Sequence, residues 1–155
     1  MKRTVASADG TYADPSALLK LYLHHPDSAS ISAWRARVRG PLPVTHHGRV
    51  EIVNGLCLAA FRRHITAAAL RDALASLDED FASGRYVHAD IPWRSALRRT
   101  DDLSREYTPE LGCRALDVLH VACALELGAG SFLTFDMRQR RLARAMGLQL
   151  ISPRP

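Results

Sequence analysis

Apolar residues along the chain occur in two patterns, short continuous runs and longer stretches in which they recur every three or four positions. Short runs bounded by glycine, proline or aspartate predict strands at 11–13, 42–45, 86–88, 131–135 and 148–151. The longer stretches have helical periodicity or helix-boundary residues, and they predict helices at 16–22, 28–38, 48–64, 66–82, 92–107, 114–127 and 137–146. Strand and helix therefore alternate along nearly the whole chain.

This alternation predicts an α/β fold, a sandwich with one mainly parallel sheet of about four to five strands and helices on both of its faces. A chain of 155 residues is long enough for one domain with a sizeable core. We expect this domain to span residues 11–151. Residues 1–10 are interpreted as a flexible N-terminal extension and 152–155 as a C-terminal tail.

The composition narrows the class of protein. With 47% apolar and 24% charged residues the chain resembles a soluble globular protein, which excludes collagen-like, coiled-coil and wholly disordered classes. The net charge is +5, and 19 of the 21 basic residues are arginine. Arginine presents a planar fork of donors that suits phosphate, so a polyanionic partner is one explanation. A coding bias towards arginine is the other.

Cysteine spacing and hydropathy bear on the compartment. Cys57, Cys113 and Cys123 are odd in number and contain no C-x-x-C pair, which argues against a disulfide framework and against a thiolate zinc site. The first ten residues lack the apolar core of a signal peptide. The longest apolar stretch, 116–127, is interrupted by polar residues and is too short to cross a bilayer. We expect a cytoplasmic protein with no membrane association.

Two aspartates directly follow predicted strands. Ligands of parallel α/β sheets bind beyond the carboxyl ends of the strands, and Asp14 and Asp136 are at such positions. Each aspartate also precedes a predicted helix, where an N-cap contributes about 1 kcal/mol. Capping and ligand binding both remain open for these two residues.

Asp117 is an acid in a strongly apolar helix. Apolar residues surround it on nearly every face between residues 115 and 125. A buried carboxylate needs a neutralising partner, because an unpaired charge in an apolar interior is costly. Arg114, three residues earlier, is one candidate and a bound metal ion is the other. His120 is on the same face, either as a core histidine or as a further ligand.

Glu51 belongs to a polar stripe on the predicted helix 48–64, together with Asn54, Gly55 and Arg62. This stripe is consistent with a solvated helix face or with the wall of a pocket. The helix itself is predicted from the apolar residues Val50, Val53, Cys57, Ala60 and Phe61.

The predicted helix 137–146 carries a dense group of arginines directly after Asp136. Leu142, Ala145 and Met146 remain for its core side. The basic face is either simply solvated or in contact with phosphates. It contains Arg138, Arg140, Arg141 and Arg144.

Four segments together resemble one family. They are Tyr12–Tyr22 (YADPSALLKLY), 50–54 (VEIVN), 114–122 (RALDVLHVA) and 133–136 (LTFD). In this order they resemble the PIN-domain family and, within it, the VapC-like toxins of bacterial toxin–antitoxin pairs. The stretch before the first strand and the pair His46–His47 depart from the pattern.

The resemblance implies an α/β/α sandwich nuclease that cuts RNA at an acidic centre. Asp14 and Asp117 correspond to the principal ligands of Mg²⁺ or Mn²⁺. Glu51 and Asp136 complete the cluster directly or through water, and Ser16 and Thr134 match supporting positions. The resemblance also implies a cognate antitoxin and a homodimer. Arg138 and Arg141 are the candidates for contact with RNA.

Four acids suffice for this chemistry. Hydrolysis of a phosphodiester needs an activated water, in-line geometry and stabilisation of developing negative charge, and a divalent ion contributes to all three. Carboxylates are the hard oxygen ligands that such an ion prefers. Without it, repulsion between crowded carboxylates raises at least some of their pKa values.

Two other functions are compatible with parts of the pattern. A non-catalytic module could use the same fold and its arginines to hold nucleic acid. A metal-dependent phosphatase on another parallel α/β fold also has an aspartate after its first strand. That chemistry usually requires Asp-x-Asp, whereas the residue two positions beyond Asp14 is Ser16.

Overall fold

The computed structural model describes residues 10–153, and within them it contains five strands and seven helices. The predicted extension, apart from Gly10, and the last two residues of the predicted tail lie outside the described residues. The strands are β1 (Thr11–Ala13), β2 (Leu42–Thr45), β3 (Tyr86–Ala89), β4 (Ser131–Leu133) and β5 (Gln149–Ile151). The helices are α1 (Pro15–Leu19), α2 (Ser28–Arg37), α3 (His46–Phe61), α4 (Ala67–Ala82), α5 (Trp93–Leu111), α6 (Ala115–Glu126) and α7 (Met137–Ala145).

Every pair of hydrogen-bonded strands in the described residues is parallel, so the predicted α/β class with a mainly parallel sheet is confirmed. The described strands form two hydrogen-bonded sheets and not the one that was expected: β4 lies between β1 and β5 in the first, β2 pairs with β3 in the second, and β1 packs beside β2. Ala13 is opposite Leu133 in the register of β1 and β4. The residues that follow these two strands therefore emerge side by side at one edge of the sheet.

Helices cover both faces of the sheet because successive strand side chains point to opposite sides. Tyr12 and Phe132 are buried in one core with residues of α5, α6 and α7. Ala13 and Leu133 are buried in a second core with residues of α3 and α4. The structure is therefore a three-layered α/β/α arrangement. None of the helices in residues 10–153 is long and apolar enough to cross a membrane.

α3 begins two residues before the predicted start and ends three residues before the predicted end. The hydroxyl of Thr45 accepts a hydrogen bond from the backbone N–H of Gly48 at 2.9 Å, so the cap is Thr45 and the first turn contains His46 and His47. The chain leaves the helix after Phe61, and Arg63 has a positive φ of 59°.

Other boundaries differ from the prediction as well, and α1 ends at Leu19 and not at residue 22. β4 ends at Leu133 and not at residue 135, because the Thr134 hydroxyl accepts a hydrogen bond from the Asp136 N–H at 3.1 Å and starts a turn. α5 continues past the predicted end at residue 107 and includes Pro109 in its last turn. Gly112, with a φ of 65°, ends that helix.

The apolar positions from which α3 was predicted are not its buried face. Val50 is 66% exposed and Phe61 is 83% exposed, while Ile52 and Leu56 are fully buried. The small residue Gly55 allows the close approach of Leu19 in α1, because a Cβ there would lie 2.7 Å from a Leu19 methyl carbon. α1 packs against this side of α3, so the other apolar side faces outwards.

Candidate acidic site

Asp14 lies where β1 ends, and its side chain is held by three donors. Its backbone N–H donates to Leu133 O at 2.9 Å, which continues the β1–β4 ladder. Oδ2 accepts hydrogen bonds from the backbone N–H and the hydroxyl of Ser16, and Oδ1 accepts one from Gln139 Nε2 at 2.9 Å. Asp14 is only 4% exposed. It caps α1 and also presents a buried, oriented carboxylate.

Gln139 connects the segments that carry three of the predicted acids. Its side-chain amide donates to Asp14 Oδ1 and, at 3.1 Å, to the backbone carbonyl of Asp117. Its backbone N–H donates to Asp136 Oδ1 at 2.8 Å. Gln139 is fully buried, and its Oε1 has no hydrogen-bond partner among residues 10–153.

The sequence prediction missed Gln139, because a glutamine in an arginine-rich helix resembles a solvated residue. The signal was its spacing: it lies three and four residues before Leu142 and Ala143, which are both buried. Ala145, predicted for the core side, is exposed instead. The 3.6-residue period places Ala143 inwards and Ala145 outwards.

Asp117 lies in the first turn of α6 and is half-buried. Burial raises the pKa of its carboxyl, and the negative charges of Asp14 and Asp136 raise this pKa further. A backbone hydrogen bond from Arg114 and the charge of that residue lower the pKa but do not offset the rise. Arg114, one of the two candidate partners, therefore does not neutralise Asp117 fully.

The predicted all-round burial of this helix begins after Asp117. Leu116 is 51% exposed, whereas the seven residues 118–124 are all buried. Asp117 consequently lies at the boundary between the core and solvent, where a cation can reach it.

Asp136 caps α7 through the hydrogen bond from Gln139, and it is exposed to solvent. Its charge and that of Asp117 both raise the pKa of the Cys113 thiol, after the larger effect of burial. The structure thus brings together three of the four predicted acids. We call Asp14, Asp117 and Asp136 the acidic cluster.

Within residues 10–153, Glu51, the fourth predicted acid, contacts a histidine and none of the other three acids by a hydrogen bond. Its Oε2 lies 2.5 Å from Nε2 of His120, and Nδ1 of His120 lies 2.7 Å from the Tyr12 hydroxyl. His120 is 1% exposed, so it is a core histidine, and both of its ring nitrogens are partnered. The Glu51 side chain is 32% exposed.

Glu51 nevertheless borders the acidic cluster. Burial raises the pKa of the Tyr12 hydroxyl most, and the charges of Asp14 and Glu51 raise this pKa further. Asp14 and Glu51 therefore both lie close enough to Tyr12 for their charges to act on its hydroxyl.

His47 lies beside Glu51 and His120, and the sequence did not indicate any role for it. Its ring stacks on His120 with a centroid separation of 4.6 Å and meets the edge of Trp93 at 5.2 Å. Burial, and next the charge of His120, lower the pKa of His47 to about 4. Both ring nitrogens are buried and have no hydrogen-bond partner among residues 10–153. A buried polar group without a partner costs about 1–3 kcal/mol.

The arginines of α7 divide into two groups. Arg140 has a structural role, because its guanidinium donates hydrogen bonds to the carbonyls of Thr134 and Ile151. Arg138 is exposed and donates to Gly112 O at 3.2 Å, and Arg141 and Arg144 are exposed as well. Only the second group is placed for contact with an external phosphate.

The residues of the acidic cluster fit a divalent ion. They supply carboxylate oxygens, which are the ligands that Mg²⁺ and Mn²⁺ prefer. Burial and, after it, repulsion from Asp14 and Asp136 raise the pKa of Asp117, and a bound cation would relieve that repulsion.

With this geometry in place, the comparisons with known proteins identify the family. The family model described as PIN domain matches residues 11–145, which is most of the chain. The chain belongs to the PIN-domain family. The resemblance inferred from four sequence segments is thereby confirmed.

Two known proteins are similar to this chain over most of its length. Ribonuclease VapC46 from Mycobacterium tuberculosis is 30% identical to this PIN-domain chain over 144 residues, covering 92% of this chain and 96% of the relative. The crystal structure of FitAcB from Neisseria gonorrhoeae superposes with a TM-score of 0.66 at 15% identity, covering 92% of this chain and 97% of the other. At that identity the second likeness concerns the fold alone.

Proposed function

We propose that this PIN-domain protein is a metal-dependent endoribonuclease and acts as the toxin of a toxin–antitoxin pair. The observation that carries the proposal is the acidic cluster, in which carboxylates from distant parts of the chain meet at the carboxyl edge of a PIN fold. Similarity to a protein named as a ribonuclease supports the choice of RNA as substrate.

In this proposal Asp14 and Asp117 are the principal ligands of Mg²⁺ or Mn²⁺. Glu51 and Asp136 contribute directly or through water. When bound, the ion would supply an activated water and stabilise negative charge on the phosphate. Asp14 suits its role because it is buried and fixed by hydrogen bonds, which orients its carboxylate in advance.

The supporting residues act through the acids. The Ser16 hydroxyl and backbone N–H fix one carboxylate oxygen of Asp14. The Thr134 hydroxyl accepts from the Asp136 N–H and thereby sets the turn that brings Asp136 to the cluster. We therefore assign Ser16 and Thr134 positioning roles.

RNA binding is assigned to the exposed arginines of α7. Arg138 and Arg141 lie on the helix that begins directly after Asp136, so a phosphate held there is close to the acidic cluster. Contacts of this kind position the backbone and carry no base specificity.

The proposed partners and location follow from the VapC-like resemblance. They are a cognate antitoxin, a second copy of the chain in a homodimer, and a place in the cytoplasm with no membrane association. The nuclease unit is residues 11–151. The exposed apolar residues on the outer side of α3, including Val50 and Phe61, give the homodimer an apolar surface to bury.

A cleavage assay with matched variants tests this function. The purified protein should cut RNA in Mg²⁺ and should stop when the metal is chelated. Asp117→Asn should reduce the rate by about 100-fold or more, because it removes a charged ligand from the site. Asp72→Asn changes an exposed aspartate on α4 and serves as the control, with an unchanged rate.

Two results would contradict the proposal. Cleavage by Asp117→Asn at the parental rate would remove the acidic cluster from the mechanism. RNA binding that survives chelation, without cleavage of any RNA tried, would favour the non-catalytic binding module.

A further inference from the structure

Three metal-ligating side chains meet beside the acidic cluster, and only Glu51 among them belongs to the four predicted acids. The other two are His47 and His120. One potential ligand atom from each lies within 4.8 Å of the others. His47 and Glu51 are four residues apart on α3 and therefore share one face of that helix, opposite His120 of α6.

Ordinary hydrogen bonding explains two of these side chains but not the third. The chain of contacts from Tyr12 through His120 to Glu51 satisfies both ring nitrogens of His120. His47 has no such explanation, because neither of its buried ring nitrogens has a partner within residues 10–153. A metal bond is a natural partner for an imidazole nitrogen that lacks a hydrogen bond.

Tyr12 is placed to prepare His120 as a ligand. Metal-binding histidines commonly donate their second ring N–H to a neighbouring oxygen, which fixes the tautomer and the orientation of the ring. In the tautomer whose Nδ1–H donates to the Tyr12 oxygen, Nε2 of His120 directs its lone pair towards Glu51. A cation between Nε2 and the Glu51 carboxylate then satisfies both.

The donor set selects the type of cation. Two imidazole nitrogens and one carboxylate oxygen form the ligand set of open zinc sites, in which water takes the fourth position. Mg²⁺ prefers oxygen ligands, so it is expected at the acidic cluster and not here. Tetrahedral zinc places its ligand atoms roughly 3.4 Å apart, so Glu51 Oε2 and His120 Nε2 would separate from their distance of 2.5 Å and the His47 ring would rotate to complete the set.

We propose that His47, Glu51 and His120 form a second metal site, which takes Zn²⁺ or a similar transition-metal cation beside the acidic cluster. This inference goes beyond the proposed ribonuclease activity and does not need RNA. Glu51 is the residue that the two centres share.

Calorimetric titration of the metal-free full-length protein with Zn²⁺ alone tests the site. The parent should bind one zinc ion per chain. The double variant Asp14→Asn/Asp117→Asn should bind it with the same affinity, because the acidic cluster is not used. His47→Ala should weaken binding at least about tenfold, and His47→Gln should do the same. His46→Ala, which changes the exposed neighbour, is the control and should bind like the parent.

Cobalt absorption identifies the ligands independently. Co²⁺ bound to the parent should give the visible bands of a tetrahedral site without a thiolate charge-transfer band, and His47→Ala should lose the visible bands. A thiolate band would place the metal on a cysteine and overturn the proposal.

Three titration results would also overturn it. They are absence of zinc binding by the parent, unchanged binding by both His47 variants, and loss of binding in the double aspartate variant. None of these results bears on whether Asp117→Asn cuts RNA, so failure of this site and failure of the proposed ribonuclease are distinguishable.

Discussion

At the scale of single residues, Gln139 is the organising side chain of the acidic cluster. One amide nitrogen contacts both the Asp14 carboxylate and the Asp117 carbonyl, and the backbone N–H of the same residue contacts Asp136. Hydrogen bonds to a charged acceptor are the stronger ones, so this residue both orients and stabilises Asp14.

Gln139→Leu tests this role. The substitution conserves approximate size but leaves the buried Asp14 Oδ1 without its donor, so we expect a loss of about 1–3 kcal/mol in the free energy of unfolding. Urea denaturation measures the change. Gln149→Leu alters an exposed glutamine on β5 and should shift stability by less than about 0.5 kcal/mol. Equal stability of the parent and Gln139→Leu would contradict the role.

The raised pKa of Asp117 predicts how the stability of the folded protein changes with pH. Its folded-state pKa is raised above the ordinary value of 3.8 by burial and by the other two acids of the cluster. Between those two pKa values the folded state binds more protons than the unfolded state, so ionisation of Asp117 lowers stability as the pH rises.

Asp117→Asn should therefore melt at a higher temperature than the parent at pH 7 in a chelator. The difference should shrink as the pH falls towards the ordinary pKa of the carboxyl, where the parent is protonated too. Thermal unfolding followed across that pH range measures it. A lower melting temperature for Asp117→Asn at pH 7 would show that the carboxylate is not under repulsion.

Sequence alone predicted the acids of the site better than the residues around them. Asp14, Asp117 and Asp136 stand at strand ends or in an apolar helix, where a charge is conspicuous. Gln139 and His47 are uncharged at neutral pH and resemble ordinary helix residues. The spacing of Gln139 to Leu142 and Ala143 indicates at most its burial, and only the tertiary contacts reveal what the two side chains do.

At the scale of elements, α7 combines a structural side with an exposed basic side. Leu142 and Ala143 are buried, and Arg140 is bound to backbone carbonyls. Arg141 is exposed, so it remains available to a phosphate.

Arg141→Ala should weaken RNA binding and reduce the slope of log affinity against log salt by about one phosphate contact. Filter binding at several salt concentrations, in the Asp117→Asn background to prevent cleavage, measures both quantities. Arg71→Ala removes an exposed arginine from α4 and should leave the slope unchanged. A slope for Arg141→Ala equal to that of the parent and of Arg71→Ala would exclude Arg141 as a phosphate contact.

α3 shows where prediction of an element fails. The helix has apolar residues on more than one face, so periodicity predicts that a helix exists but not which face is buried. The decision depends on Gly55 and its contact with Leu19, a partner distant in sequence. Its start was missed for a local reason, the cap by Thr45.

At the scale of the whole molecule, the alternation of strands and helices was sufficient to predict a parallel α/β fold. The strand order was not predictable, because it depends on which strands pair across long connections. β4 pairs with both β1 and β5, and this order places Asp14 beside the turn that leads to Asp136. The topology thus assembles an acidic centre from residues more than a hundred positions apart.

The central claim is that this assembly holds a divalent ion. Anomalous diffraction from crystals of the full-length protein soaked in Mn²⁺ locates the ion directly. We expect an anomalous peak within coordination distance of the Asp14 and Asp117 carboxylates, and its loss in Asp14→Asn. Mn²⁺ bound elsewhere, with no peak at these two carboxylates, would contradict the account.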